Sequence, residues 1–367
     1  MGLLKTNYNT RIFGLDVMRA IAILIVCWDH SIFMLNGTSL EFLSEIRLID
    51  GVEIFFVLSG FLIGSILLKI YHKSEKHFSF KELWMFWNRR WMRTVPLYLI
   101  ILLVNIYLVN TELINGQVEA ISIKFVFFLQ NFSSSFQGFF WESWSLSVEE
   151  WFYMITPLLL ILLQFVLPKK KAFFITILVL MLAPLIYRLA IAGSYDNLSR
   201  YHWDIEFRKV VITRLDTIMY GVLWAFIKFH YTNFFVKWKW LFAGLGLIGV
   251  VCLLNIPKDP NSFYLKTIYF SVVPLSVSLF IPLMDAWKTV RSFIGKFVIH
   301  ISLISYVMYL VNLALVVQVI NKNFPIVDPS DGMMKFGLFW LIVIGLSTLI
   351  YFFIEKPILN LRNRIWK

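Results

Sequence analysis

Cysteine is almost missing from this chain. It has two, Cys27 and Cys252, both inside apolar runs. Two isolated thiols offer no disulfide framework and say nothing about redox compartment. Charge is scarce as well: Asp, Glu, Lys and Arg make up 15% of the residues against 59% hydrophobic ones. That balance excludes an ordinary soluble core and describes a polytopic membrane protein. No linker and no polar segment long enough for a second soluble domain interrupts the sequence. Residues 1–367 therefore read as a single integral-membrane domain with no fused extracytoplasmic domain. Walker loops, dinucleotide fingerprints and His/Cys metal clusters are also missing, so the chain carries no sign of ATP hydrolysis, dinucleotide binding or a metal site.

Apolar runs of bilayer length are plentiful. About ten spans are expected, over 13–34, 51–70, 95–111, 147–167, 172–192, 213–230, 239–255, 265–284, 297–320 and 336–355. The first is too long for a signal-peptide core and no small-residue cleavage site follows it, so it reads as a retained anchor. The apolar segment 121–130 is too short to cross alone and reads as re-entrant or interfacial. The net charge of +12 gathers on one set of loops, chiefly 69–94, 168–171, 228–239, 285–296 and 356–367. The positive-inside rule then places both termini in the cytoplasm, in agreement with an even number of spans. The same rule accounts for the basicity without nucleic acid. The expected fold is an all-α, multi-pass transmembrane bundle.

Several ionisable residues interrupt this apolar background. Arg19 and His30 share the first span, about three helical turns or roughly 16 Å apart on one face. Charged or titratable groups in lipid normally face the protein interior or a wet cavity and mark a site. Glu53 enters the second span at a depth similar to His30 and is a candidate to orient it; an interfacial carboxylate facing water is the alternative. The stretch before the third span, Phe86–Pro96, carries Arg89, Arg90 and Arg93 among aromatics. Arginine forks suit phosphates, although a basic juxtamembrane cluster also suits anionic lipid. The stretch 139–153 leads into the fourth span with Trp141, Trp144, Ser145, Glu149, Glu150 and Tyr153. Its aromatics fit a sugar ring. An aromatic belt would explain the tryptophans but not the paired carboxylates. Elsewhere, Arg214 and Asp216 are placed to pair with each other, Arg188 to snorkel, His202 to be solvated, His300 to hold a local hydrogen bond, and Glu355-Lys356-Pro357 to stop the last span.

Together these stretches resemble the acyltransferase-3 family of integral-membrane acyltransferases, which includes bacterial O-antigen and exopolysaccharide O-acetyltransferases. The resemblance rests on Arg19-x10-His30, on Gly51-Val-Glu53-Ile-Phe-Phe-Val-Leu-Ser-Gly-Phe61, on Arg90-Trp-Met-Arg93, on Trp144-Ser-Leu-Ser-Val-Glu149-Glu-Trp-Phe-Tyr153 and on Phe353-Ile-Glu355-Lys-Pro357. Their order and spacing cover essentially the whole chain. Two positions depart from the pattern: Asn312 stands where the family's ninth-span motif commonly has His, and Asp29 precedes His30.

The resemblance implies a cytoplasmic acyl-CoA donor, usually acetyl-CoA, with no permanently bound cofactor. It implies an acceptor hydroxyl on a cell-envelope glycan or lipid-linked saccharide, and a place in a bacterial cytoplasmic membrane. On that reading Arg89, Arg90 and Arg93 hold the CoA phosphates, and Arg19 steadies the arm or the thioester oxygen. His30 is general base or nucleophile, and Glu53 or Glu149 orients it or relays its proton. Trp141, Trp144, Ser145 and Tyr153 meet the acceptor. A proton-coupled transporter or a non-catalytic glycan-export partner is the alternative; matching broken helices in two halves, the mark of many transporters, are not evident. No motif specifies an oligomeric state.

Overall fold

A computed structural model of the protein describes residues 11–74, 78–136, 138–290, 292–324 and 328–365. Helices dominate, and no β-strand occurs among the described residues. The main helices are α1 (Phe13–Ser31), α2 (Gly51–Lys73), α3 (Phe80–Asn110), α4 (Ser143–Leu163), α5 (Lys169–Ile191), α6 (Leu215–His230), α7 (Lys239–Asn255), α8 (Tyr269–Ser278), α9 (Phe293–Val311) and α10 (Pro329–Ile350). Helices keep their backbone hydrogen bonds inside the segment, which lipid demands. Among the described residues, eight helical segments are long and apolar enough to cross a membrane. The protein is a multi-pass integral membrane protein. The two remaining expected spans are helical but shorter, 16 residues for α6 and 17 for α7.

The bundle is tightest where α2 crosses α6. A Cβ on Gly60 would lie 1.9 Å from the Ile218 carbonyl oxygen, and one on Gly221 1.9 Å from that of Val57. Only glycine permits that approach, and close packing of small residues is what holds helices together where lipid offers no hydrophobic drive.

Fully buried ion pairs surround the same crossing, with partners other than those expected from sequence. Asp216 pairs with Arg188 at 2.7 Å and accepts from Ser271 at 3.0 Å. Arg188 is 0% exposed and also donates to the Thr267 carbonyl at 3.0 Å, so it does not snorkel. Arg214 pairs with Glu53. Arg214 stands just before α6 with a non-helical backbone, while Asp216 is already in its first turn, and each has its partner on a neighbouring helix.

Several helix ends also differ from the sequence reading. The third helix starts at Phe80 rather than near 95, because Ser79 and Glu82 form a reciprocal capping box. Arg89, Arg90 and Arg93 therefore stand on a helix and not on a loop. The last span does not stop at Glu355-Lys356-Pro357. It passes through a π-helical stretch, Tyr351–Glu355, into a helix over Lys356–Ile365. Pro357 has no N–H for the carbonyl four residues back, and the wider π register accommodates that loss. Residues 121–130 form a short 3-10 turn, Ile123–Phe125, tied to α3 where the Tyr98 hydroxyl donates to the Phe125 carbonyl at 2.8 Å. His202 is exposed, and His300 bonds Thr348 on α10 at 3.0 Å.

Candidate active site

A cavity of about 100 Å³ lies between α1, α2, α3, α4 and α9. Its polar lining is concentrated in Arg19, Arg90, Arg93, Glu149, Tyr153 and Tyr306, and Phe55, Phe56, Leu62 and Ile63 of α2 supply an apolar wall. Three arginines thus converge on one space from two helices. Arg19 is steadied from below by Asp16 at 3.8 Å, and Asp16 is in turn gripped by Arg11 and by the Ser302 hydroxyl at 2.7 Å. The Nε of Arg90 is buried with no hydrogen-bond partner among the described residues, an unsatisfied donor in a place where one is costly. Arg89, one residue away, is exposed and does not line the cavity.

The helices around the cavity are cross-braced. Thr94 on α3 donates to the buried Glu150 of α4 at 2.7 Å, while its carbonyl accepts from the Tyr306 hydroxyl of α9 at 2.8 Å. At the other end, Ser145 and Tyr309 share a hydrogen bond of 2.6 Å. Tyr306, Tyr309 and Asn312 all belong to the ninth-span motif Ser305-Tyr306-Val-Met-Tyr309-Leu-Val-Asn312, and their three-residue spacing puts them on one helix face.

His30 is not a lining residue. It stands beyond the cavity wall at the far end of α1, with its Nδ1 2.5 Å from Oδ1 of Asn312. Asn312 also donates to the Tyr309 carbonyl at 2.7 Å, so His30 connects to the cavity through α9. The structure does not join Glu53 to His30, because Glu53 is taken by Arg214. Glu149 lines the cavity near the arginines.

Around His30 a charged layer closes this end of the bundle. Arg208 bonds both Asp50 and Asp204, the latter at 2.8 Å, and Lys209 reaches Asp204 at 2.5 Å. Asp50 also caps α2 through the Val52 N–H at 2.9 Å. Burial works to raise the Asp50 and Asp204 carboxyls, yet the neighbouring Arg208 charge holds both below the ordinary carboxylate value. The tryptophans expected to meet a sugar lie under these cations: the Arg208 guanidinium is 4.9 Å from the Trp144 ring and the Lys209 ammonium 4.5 Å from the Trp141 ring. Trp144 is buried against Phe56, and Ser145 and Tyr153 line the inner cavity. Because α4 already begins at Ser143, this stretch points into the bundle and does not form an interfacial platform.

The chain matches the acyltransferase-3 family, described as an acyltransferase domain, over residues 12–356. It is 26% identical over 388 aligned positions to a protein of Bacillus subtilis (strain 168) that carries the provisional name of a peptidoglycan O-acetyltransferase, YrhL; the match covers 96% of this chain and 56% of that one. It is 29% identical over 238 positions to O-acetyltransferase OatA of Staphylococcus aureus (strain NCTC 8325 / PS 47), covering 61% of this chain and 36% of that protein. The chain spans about half the length of the curated relatives it matches end to end. No solved structure matches it. With the family match running through every helix that lines the cavity, the chain belongs to the acyltransferase-3 family of membrane proteins.

Proposed function

We propose that this protein is a membrane O-acyltransferase that moves an acyl group, acetyl in the first instance, from cytoplasmic acyl-CoA to a hydroxyl of a cell-envelope glycan. The observation that carries the reading is the convergence of Arg19, Arg90 and Arg93 on one mostly apolar cavity inside a family named for acyl transfer. Such a cavity is far smaller than the few hundred Å³ or more of a typical small-molecule pocket. It suits a slender pantetheine arm with its thioester and leaves the nucleotide outside, where Arg89 is exposed. Guanidinium forks are the natural partners of phosphates.

His30 supplies what the reaction lacks. A sugar hydroxyl is a weak nucleophile toward a thioester at neutral pH, and a positioned imidazole removes its proton as the C–O bond forms. The acceptor approaches from the end of α1 that carries His30, beneath the layer of Asp50, Arg208 and Asp204. Tryptophans 141 and 144 support that layer by cation–π contact, and Trp141 alone is open enough to touch the acceptor. In this orientation both termini and the arginines of α3 face the cytoplasm.

The test is transfer of label from radiolabelled acetyl-CoA into the cell-wall glycan of membranes expressing the full chain. Wild type labels the glycan, and His30→Ala lowers the rate by roughly 10²-fold or more at equal protein level. Equal labelling by the two proteins would defeat the assignment of His30.

A further inference from the structure

His30 has a partner whose chemistry determines where its proton sits. The Oδ1 of Asn312 lies 2.5 Å from Nδ1 of His30. Both hydrogens on Asn312 Nδ2 are committed to backbone carbonyls, Met308 at 2.9 Å and Tyr309 at 2.7 Å. The side-chain oxygen is thereby turned toward the imidazole, and an amide oxygen only accepts. An acceptor-only oxygen at this position matches a neutral imidazole that carries its proton on Nδ1 and leaves the lone pair on Nε2.

Asn312 is itself held. It is 0% exposed and opens the π-helical stretch Asn312–Gln318, in which the Ala314 N–H donates to Oε1 of the buried Glu142 at 2.8 Å. The residue that caps α4 thus braces the π-helical turn after α9 that presents the amide. Unlike a histidine or a carboxylate at this position, an amide cannot compete for the proton.

We propose that Asn312 is a positioning residue that locks His30 in its Nδ1–H form, so that the acceptor proton is taken by Nε2. The second half rests on the reading of His30 as the base. The acceptor O–H proton passes to Nε2 while the oxygen bonds the thioester carbonyl carbon. The C–S bond then breaks, and the Nε2 proton is returned to the departing sulfur. The products are an ester and free CoA thiol, with His30 neutral again.

Nitrogen NMR on isotope-labelled histidine, in nanodiscs holding the full chain, reads the first half directly. His30→Gln identifies the signals by difference. The expected wild-type spectrum has a protonated Nδ1 and a bare Nε2, and Asn312→Leu moves His30 toward the Nε2–H form. A wild-type Nε2–H, or an unchanged spectrum in Asn312→Leu, overturns the lock.

The second half is read from the pH profile of acetyl transfer from acetyl-CoA. Asn312→Asp keeps the shape but adds a charge that favours imidazolium, so the acidic limb of kcat/KM moves about one pH unit or more higher. Asp50, Arg208 and Lys209 also act on His30 electrostatically, and Asp29 adjoins it in the chain; none of these changes in the variant. An unmoved limb in a folded Asn312→Asp protein overturns the catalytic half. If His30→Gln transfers as fast as wild type, the base assignment itself fails while the NMR result stands.

Discussion

At the scale of single residues, the cavity arginines have different jobs. Arg19 is already engaged with Asp16, whereas Arg90 keeps a buried Nε unpaired among the described residues. A thioester or amide carbonyl oxygen of the donor arm that meets Arg90 or Arg93 gains a charge-assisted bond of about 1.5–3 kcal/mol. Arg93→Ala is therefore expected to raise the apparent KM for acetyl-CoA by roughly 10-fold or more, with the thermal midpoint of the purified protein little changed. Donor titration of the labelling assay checks this. A large fall in stability with an unchanged KM would instead make Arg93 structural. Part of this site is legible in the sequence: the motifs contain Arg19, Arg90, Arg93 and Glu149, all of which line the cavity. In the sequence Asn312 stands out only as a departure from the family pattern. Its role was hidden because hydrogen-bond direction depends on where both amide hydrogens go, and nothing in the sequence states that.

Among the elements, apolar length made the helices readable and charge obscured their ends. The basic, aromatic start of α3 reads as loop by hydropathy, yet the Ser79–Glu82 capping box was present in the sequence as a start signal. Which helix faces are in contact was not legible, since that depends on helix rotation; Glu53, Arg188, Arg214 and Asp216 consequently took unexpected partners. Those pairs carry a prediction of their own. Arg188→Met leaves Asp216 buried without its guanidinium and is expected to lower stability by about 3–5 kcal/mol. Arg188→Met with Asp216→Leu is expected to recover part of that loss, because two apolar side chains can replace a buried pair while the Thr213 and Thr267 carbonyls still lose their donor. Thermal unfolding in detergent measures both, and a double variant no better than the single would count against the pair as the source of the loss.

Across the whole molecule, the proposed orientation assigns a side of the membrane to every loop. Single cysteines introduced at Lys237 and at Asn36, in a chain with Cys27 and Cys252 changed to Ala, are expected to differ toward an impermeant thiol reagent added to intact cells. Asn36→Cys reacts from outside, and Lys237→Cys only after the membrane is opened. The reverse pattern would invert the proposed direction of transfer.

The length of α3 bears on that direction. At about 1.5 Å per residue its 31 residues extend roughly 46 Å, against a hydrocarbon layer of about 30 Å. Its leading turns, with Arg89 on them, therefore stand clear of the lipid. On the proposed reading the donor can anchor its most hydrated portion in aqueous surroundings and insert only a neutral tether. Nothing anionic then has to be stripped of water to serve a reaction on the opposite side, and the membrane's own barrier to ions is left intact while a two-carbon fragment passes through it.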